Sequence, residues 1–489
     1  RVAVGTSTCA KSISEASDLT LAIPRAITWQ RRQMAALESM KDLEAAPATS
    51  AALSMKEIEE AMERGATSAK PEGLTLQQSE EGGKTRWSFQ DEAPPQEAKP
   101  INDDVAIKSC GATIGVGLFA RRKLEGGSVI LRNEPIAHAA RGFDGARCDV
   151  CLAPVAKSVK CKGCAAVVYC GKACATSINA TAHMKNGECK AAAALPKILP
   201  TCLLAARVLR KMRADPAINT YVRALKRKSN LDGDDELRAA AQVVKQLSGE
   251  TDENACAAVL AVLQRNAHSV CDDELREVGV ALYPRAVTAA NHSCRPNIWP
   301  RFRFTVSKAP VLEYAVLSSV EANKELTHEY ADLLDEHRRE SLRKNYGFVC
   351  ACDECAFASK AREAARTQLR TKRDAMEAHL KKEDWAAAAA LAEDVARLEG
   401  FWAPGHPYTA LHRLRCAKLQ NLVGNEREAQ VHIMLALVRL VVSHGKESSL
   451  AKEAADMQAR VIHKREGRTL VEDASSDDDY DWRAGMRPW

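Results

Sequence analysis

The chain has 489 residues, enough for about three domains, and a 46% hydrophobic content that can fill a sizeable core. Aromatic residues make up only 5%, so that core must be mainly Ala, Leu and Val. No apolar run reaches the roughly 18 residues a membrane-spanning helix needs, and a net charge of +6 over this length is too mild to mark a nucleic-acid binder.

Taken in order, residues 1–33 hold many Ser and Thr with five basic and two acidic side chains. This reads as a variable leader, with an organelle transit peptide as the alternative. Residues 27–66 have helix-forming composition (Met34, Leu37, Met40, Met55, Ile58, Met62). Residues 67–100, rich in Glu, Gly, Pro and Gln, predict a linker, so 1–104 form a variable, partly disordered N-terminal region. Residues 105–147 alternate β-prone runs such as Ser128-Val129-Ile130-Leu131 with Gly111, Gly115, Gly117, Gly126 and Gly127, predicting short strands and tight turns.

The cysteines come next. Cys148-x2-Cys151, Cys161-x2-Cys164, Cys170-x3-Cys174 and His183-x5-Cys189 occupy 148–189, and Cys350-x-Cys352-x2-Cys355 occupies 350–355. Two thiolates two residues apart can bind one tetrahedral ion, so this array predicts zinc rather than disulfides, and reduced thiols in the cytoplasm or nucleus. Eight ligands in the first block make two closed, structural sites, either by sequential pairs or interleaved; spacing alone leaves both open. The second block needs a fourth ligand, and Cys294, in the polar turn of Asn291, Ser293, Pro296 and Asn297, supplies it. That gives three zinc ions. Residues 147–190 have seven basic and two acidic side chains, but seven bound thiolates and two zinc ions reduce their balance to about +2, which weakens a nucleic-acid role. Cys9, Cys110, Cys202, Cys256, Cys271 and Cys416 read as small buried hydrophobes.

Residues 190–265 are Ala- and Leu-rich and predict helices; 266–349 return to strands, Val311 to Val316 being the clearest. From 356 to 465 the pattern is helical. Trp385, Ala389, Ala392 and Val395 share a face, as do Leu411, Leu414, Ala417 and Lys418, and then Leu435, Val438 and Val441. With Gly424 as a helix stop, this suggests hairpins of the tetratricopeptide sort. Six carboxylates between Glu472 and Asp481 make 466–489 an acidic tail.

Several segments, in matching order over 105–465, resemble the SET-domain protein lysine methyltransferases with an inserted MYND zinc finger. They are Gly115-Val116-Gly117-Leu118-Phe119-Ala120, the 148–189 ligand series, Asn266 with Glu277 to Pro284, Asn291-His292-Ser293-Cys294-Arg295-Pro296-Asn297, Glu325-Leu326-Thr327-His328-Glu329-Tyr330, Tyr346 to Cys352, His406-Pro407 and Ser443-His444-Gly445. The Asn291–Asn297 motif followed by Cys-x-Cys-x2-Cys is highly specific. The sequence departs from the pattern in its longer His183–Cys189 tail without the usual tryptophan, in apolar Ile114 and Val116 beside the glycines, and in Asn323-Lys324 before the Glu325 segment.

The resemblance implies an α+β fold. A β-rich SET domain (105–147 and 266–349) is split by the finger (148–189) and a helical insert (190–265), then followed by a post-SET zinc motif (350–355) and a helical, tetratricopeptide-like domain. It implies the interleaved zinc pairing. It also implies transfer of methyl from S-adenosylmethionine to lysine of histone or non-histone proteins. Gly115, Gly117, Asn266, Asn291, His292, Tyr330 and Phe348 would contact the cofactor, with Tyr330 and Tyr346 at the reacting centre. The expected partners are protein substrates, and proline-rich peptides at the finger, for a monomer that is not membrane-bound. The rival is a catalytically weak scaffold that binds proline-rich peptides or chromatin-associated partners. His268 and His328 read as structural.

Overall fold

The computed structural model describes residues 74–466, apart from 82–83, 92–98, 142–146, 156, 196–197, 226–234 and 357–359. The expected leader, the helix-forming stretch 27–66 and the acidic tail beyond 466 lie outside the described residues. One segment differs from expectation. In the presumed linker, β1 (Leu74–Glu81) and β2 (Lys84–Asp91) pair antiparallel, Leu76 opposite Phe89 and Gln78 opposite Trp87. The polar composition concealed a period-two alternation in the sequence, Leu74 and Leu76 on one strand and Trp87 and Phe89 on the other, around a Gly-Gly sequence that suits a hairpin.

The β-rich part is built from β3 (Lys99–Pro100), β4 (Val105–Ser109), β5 (Val116–Ala120), β6 (Val129–Asn133) and β7 (Ala137–Ala140). A finger carrying β8 (Val159–Lys160) and β9 (Val168–Tyr169) follows. Then come β10 (His268–Cys271), β11 (Glu277–Leu282), β12 (Asn291–His292), β13 (Ile298–Arg303), β14 (Val311–Val316) and β15 (Glu325–His328). Three small sheets result, in the orders β12-β15-β5-β4-β3, β13-β14-β6 and β10-β11-β7. Early strands thus pair with strands that follow the insertion, so the finger and its helices interrupt one continuous core. Leu118, Ile130, Tyr283, Ile298, Tyr314 and Leu326 meet at its centre.

Four helices, Pro200–Ala214, Pro216–Ala224, Asp235–Ser248 and Glu253–Asn266, cover one side of β7 and β11. Leu203, Leu204, Val208, Leu260 and Leu263 pack there against Ala139, Val280 and Leu282. The C-terminal part is a run of antiparallel helices, Lys360–Lys381, Trp385–Arg397, Pro407–Leu422, Glu426–Ser443 and Ser449–Glu466, each packed on the next. The expected face of the fourth is wrong. Ala429, Ile433, Ala436 and Leu440 are buried, whereas Val438 and Val441 are exposed. Val431, Met434, Val438 and Val441 make this helix apolar on both sides, so periodicity could not choose the face.

The helical part closes onto β13 and the strand ends. Trp299 and Leu317 pack with Leu411, Leu414 and Leu440, and Arg303 donates to the His444 carbonyl at 3.1 Å, satisfying a free carbonyl at the helix C-terminus. Gly405 is the tightest point. Its φ is +72° and a Cβ there would lie 2.1 Å from the Leu317 carbonyl oxygen. Gly405→Ala therefore strains the backbone and separates the two parts. It is expected to cost on the order of 2–4 kcal/mol, read as a lowered midpoint in a thermal melt; an unchanged midpoint would refute this docking point.

Candidate active site and metal centres

Three sets of four ligand residues assemble: Cys148, Cys151, Cys170 and Cys174; Cys161, Cys164, His183 and Cys189; and Cys294, Cys350, Cys352 and Cys355. The first two are the interleaved sets. Within each set all donor atoms lie within 4.8 Å of one another. Tetrahedral ligands about 2.3 Å from zinc stand roughly 3.8 Å apart, and the sulfur separations Cys151–Cys170 (3.6 Å), Cys170–Cys174 (3.5 Å), Cys161–Cys189 (3.6 Å) and Cys294–Cys355 (3.6 Å) fit that geometry. Thiols and one imidazole as donors select zinc, and four ligands per set leave no open position for chemistry.

The long His183–Cys189 tail has a physical role that the spacing did not reveal. His183 Nε2 is 3.4 Å from Cys164 Sγ, while its Nδ1 is 2.8 Å from Glu188 Oε1. Glu188 is buried, yet it stays ionised because Arg207 (2.7 Å) and Arg210 (2.5 Å) offset the cost of its burial. Arg207 also donates to Asp149 Oδ2 and to the His138 carbonyl, both at 2.8 Å. A carboxylate on the outer nitrogen of a ligating imidazole fixes its orientation. The only sequence signal was an acid placed immediately before a ligand cysteine.

The third set joins the β12 turn to residues 350–355, and an aromatic cluster is packed against it. The ring of Tyr330 lies 4.9 Å from Tyr346, 5.4 Å from His292 and 6.4 Å from Phe348, and the rings of His292 and Phe348 are 6.0 Å apart. His292 Nδ1 accepts the Tyr330 backbone N–H at 3.0 Å. The Tyr330 hydroxyl donates to the Ala290 carbonyl at 2.6 Å. Burial pushes the Tyr330 hydroxyl well above its ordinary pKa and Tyr346 up to about 12, so both stay protonated at neutral pH.

Asn291 Nδ2 donates to the Val116 carbonyl (3.0 Å) and to Glu325 Oε1 (2.7 Å), which brings the glycine segment alongside β12. Gly115 has a φ of +96°. At Gly117 a Cβ would fall 2.6 Å from Glu325 Oε1 and 2.7 Å from Cys110 Sγ, so its bareness makes room for protein side chains. Asn323 adopts a φ of +65°. Asparagine tolerates that region.

A cavity of about 120 Å³ lies beside Tyr330 and is lined by Asn266, Tyr330 and Tyr346 of the expected residues. Gly115, Gly117, Asn291, His292 and Phe348 are not in its wall; His292 and Phe348 pack on the Tyr330 ring, and Asn291 bonds the glycine segment. Its remaining wall includes His268, Trp299, His328 and Glu329, and also Cys271, which was expected to be merely buried. His268 and His328 stack at 5.6 Å, and burial lowers both pKa values, His268 to about 4. These wall residues were missed because they come from strands far apart in sequence.

The finger model, described as MYND finger, matches residues 148–186. The chain is 24% identical over 410 residues to histone-lysine N-methyltransferase SMYD3 of Mus musculus, spanning 70% of this chain and 94% of that protein. It is 31% identical over 236 residues to N-lysine methyltransferase SMYD2 of Gallus gallus (45% and 52%), and 27% identical over 277 residues to histone-lysine N-methyltransferase ASHR1 of Arabidopsis thaliana (52% and 56%). The last two alignments thus span about half of each relative.

Metal analysis of the purified chain is expected to find three zinc ions, one per set; far fewer would overturn the assignment. Glu188→Gln should speed transfer of one of the three to a chromogenic chelator by about 10–100-fold, with the other two unaffected. The interleaved ligand sets, the matching finger and the shared order of motifs around Asn291–Asn297 point the same way: the chain carries a MYND finger and is similar to SMYD-type lysine methyltransferases.

Proposed function

We propose that this protein is an S-adenosylmethionine-dependent protein-lysine N-methyltransferase. The observation that carries this reading is the convergence of Tyr330, Tyr346 and Asn266 on one cavity, with His292 packed against Tyr330 and Asn291 bonded to the glycine segment. The relatives named above are methyltransferases acting on histone or other lysines by their names, which supports a protein substrate here.

The residues present fit the cofactor by the chemistry of their donors. Asn266 offers a side-chain amide and Asn291 its amide oxygen, the N–H groups of Asn291 being held by Val116 and Glu325; the bare turn at Gly115 allows close approach, and half-buried Phe348 offers a ring face for adenine. When bound, S-adenosylmethionine supplies a methyl group on a positively charged sulfur.

The protein must do the rest. A lysine ammonium has a pKa near 10.4 and cannot attack until it loses a proton. Burial among Tyr330, Tyr346, Trp299 and Phe302 disfavours the charged form and lowers that value. The Tyr330 proton is committed to the Ala290 carbonyl, so this hydroxyl offers lone pairs to an incoming N–H. A fixed acceptor at that point aligns the nitrogen, and alignment supplies much of the rate. The finger's exposed Ile178 and Met184 support a protein-docking role for that face.

The test combines labelled S-adenosylmethionine with core histones and, separately, with a cell lysate, followed by identification of the marked residue. Label on lysine is expected, and S-adenosylmethionine should raise the melting temperature. No label and no stabilisation would refute the proposal. Tyr330→Phe should lower turnover by on the order of 10²-fold while the melting temperature falls only slightly, because one buried carbonyl loses its donor.

A further inference from the structure

Glu329 precedes Tyr330 in the chain and lines the same cavity. Its side chain is 2% exposed. Oε1 is 3.3 Å from His406 Nε2, contributed by the segment that caps helix Pro407–Leu422. Oε2 is buried and has no hydrogen-bond partner among the described residues. An unsatisfied buried carboxylate oxygen costs stability, and such groups recur where a ligand completes them. The same wall carries Trp299, Phe302, Tyr330 and Tyr346, aromatic rings suited to an alkylammonium.

We propose that Glu329 Oε2 receives the substrate's ε-ammonium and takes its proton. This rests on the function proposed above. The N–H bond breaks, its electron pair remains on nitrogen as the nucleophilic lone pair, and the proton joins Oε2. Ammonium plus carboxylate becomes amine plus carboxylic acid, with no change in net charge. Desolvation favours both neutral products. Burial raises the Glu329 pKa above the ordinary range, His406 opposes that rise, and Asp332 adds to it. A carboxylate shifted upward is a better base at neutral pH than an ordinary one.

The other ionisable groups facing this point are His406 and Tyr408 from the helical part, Asp332 from its own loop, and Arg265, His268, Cys271, His328 and Tyr346 around the cavity. Burial keeps both cavity histidines neutral from pH 7 to 9 and Tyr346 protonated.

The sign follows. With Glu329 ionised and lysine still protonated, kcat/KM of the unmodified protein is flat from about pH 7 to 9. In Glu329→Gln only lysine that is already neutral can react, so kcat/KM climbs about tenfold per pH unit towards 10.4. The ratio of the two should shrink tenfold per unit. The experiment measures both profiles with core histones, or with the peptide around whichever lysine the labelling experiment marks, and measures the S-adenosylmethionine-induced melting shift of each protein. A constant ratio would mean a merely structural role and would overturn the inference. If Glu329→Gln does not fold, the unmodified profile alone decides: a tenfold climb per unit overturns it, and a flat profile supports it. A protein that transfers no methyl and gains no stability from S-adenosylmethionine overturns the underlying function as well, whereas a stabilised, active protein with a climbing profile removes only Glu329.

Discussion

Four sulfur atoms from two distant segments hold this site together. Cys294 leaves a two-residue strand, Cys350, Cys352 and Cys355 sit more than fifty residues later, and their donor atoms lie within 4.8 Å. Everything between them in sequence must loop out and return. That loop contains β13, β14, β15, Tyr330 and the helix Arg338–Tyr346, so closing the sulfur cluster packs Tyr330, Tyr346, Phe348 and His292 into one aromatic group. Such short strands, with few internal ladder bonds, would hold that arrangement weakly by themselves. A closed metal site replaces missing sheet with covalent-strength geometry.

The finger is not a loosely tethered module. The carboxylate behind His183 is shared by Arg207 and Arg210, both on helix Pro200–Ala214, and Arg207 reaches on to Asp149 and to the backbone of β7. One buried ionic network therefore ties a metal ligand, the finger's first knuckle, the inserted helices and a central strand. Removing any single member leaves the others as uncompensated buried charges, which is costly. The finger's orientation is thereby coupled to the same core that supports the cavity.

The helical part is equally integral. Glycine at 405 admits the Leu317 carbonyl, Arg303 caps a helix end, and His406 bonds Glu329 beside the cavity. The expected boundary between β-rich and helical parts is thus a contact surface that supports residues of the cavity wall. Trp299 illustrates this: it lines the cavity and also packs against His406, at a ring distance of 5.0 Å.

Much of this was legible in one dimension. Cysteine pairs at metal spacing, Asn291–Asn297, the glycine segment and the alternation of β-prone and helical stretches are local patterns, and local patterns report local chemistry: which atoms bind a soft ion, where a turn needs a bare backbone, where a helix stops. The choice between sequential and interleaved ligands, the inward face of helix Glu426–Ser443, the service of Glu188 to His183, and the meeting of His268, Trp299 and Glu329 at one cavity were not. Each depends on distances between residues far apart along the chain, and those distances are set by how the sheets and helices bury their apolar area together. Residue types and their spacing determined the ligand clusters and the family resemblance; packing alone decided which carboxylate, which imidazole and which aromatic ring would share the space beside Tyr330.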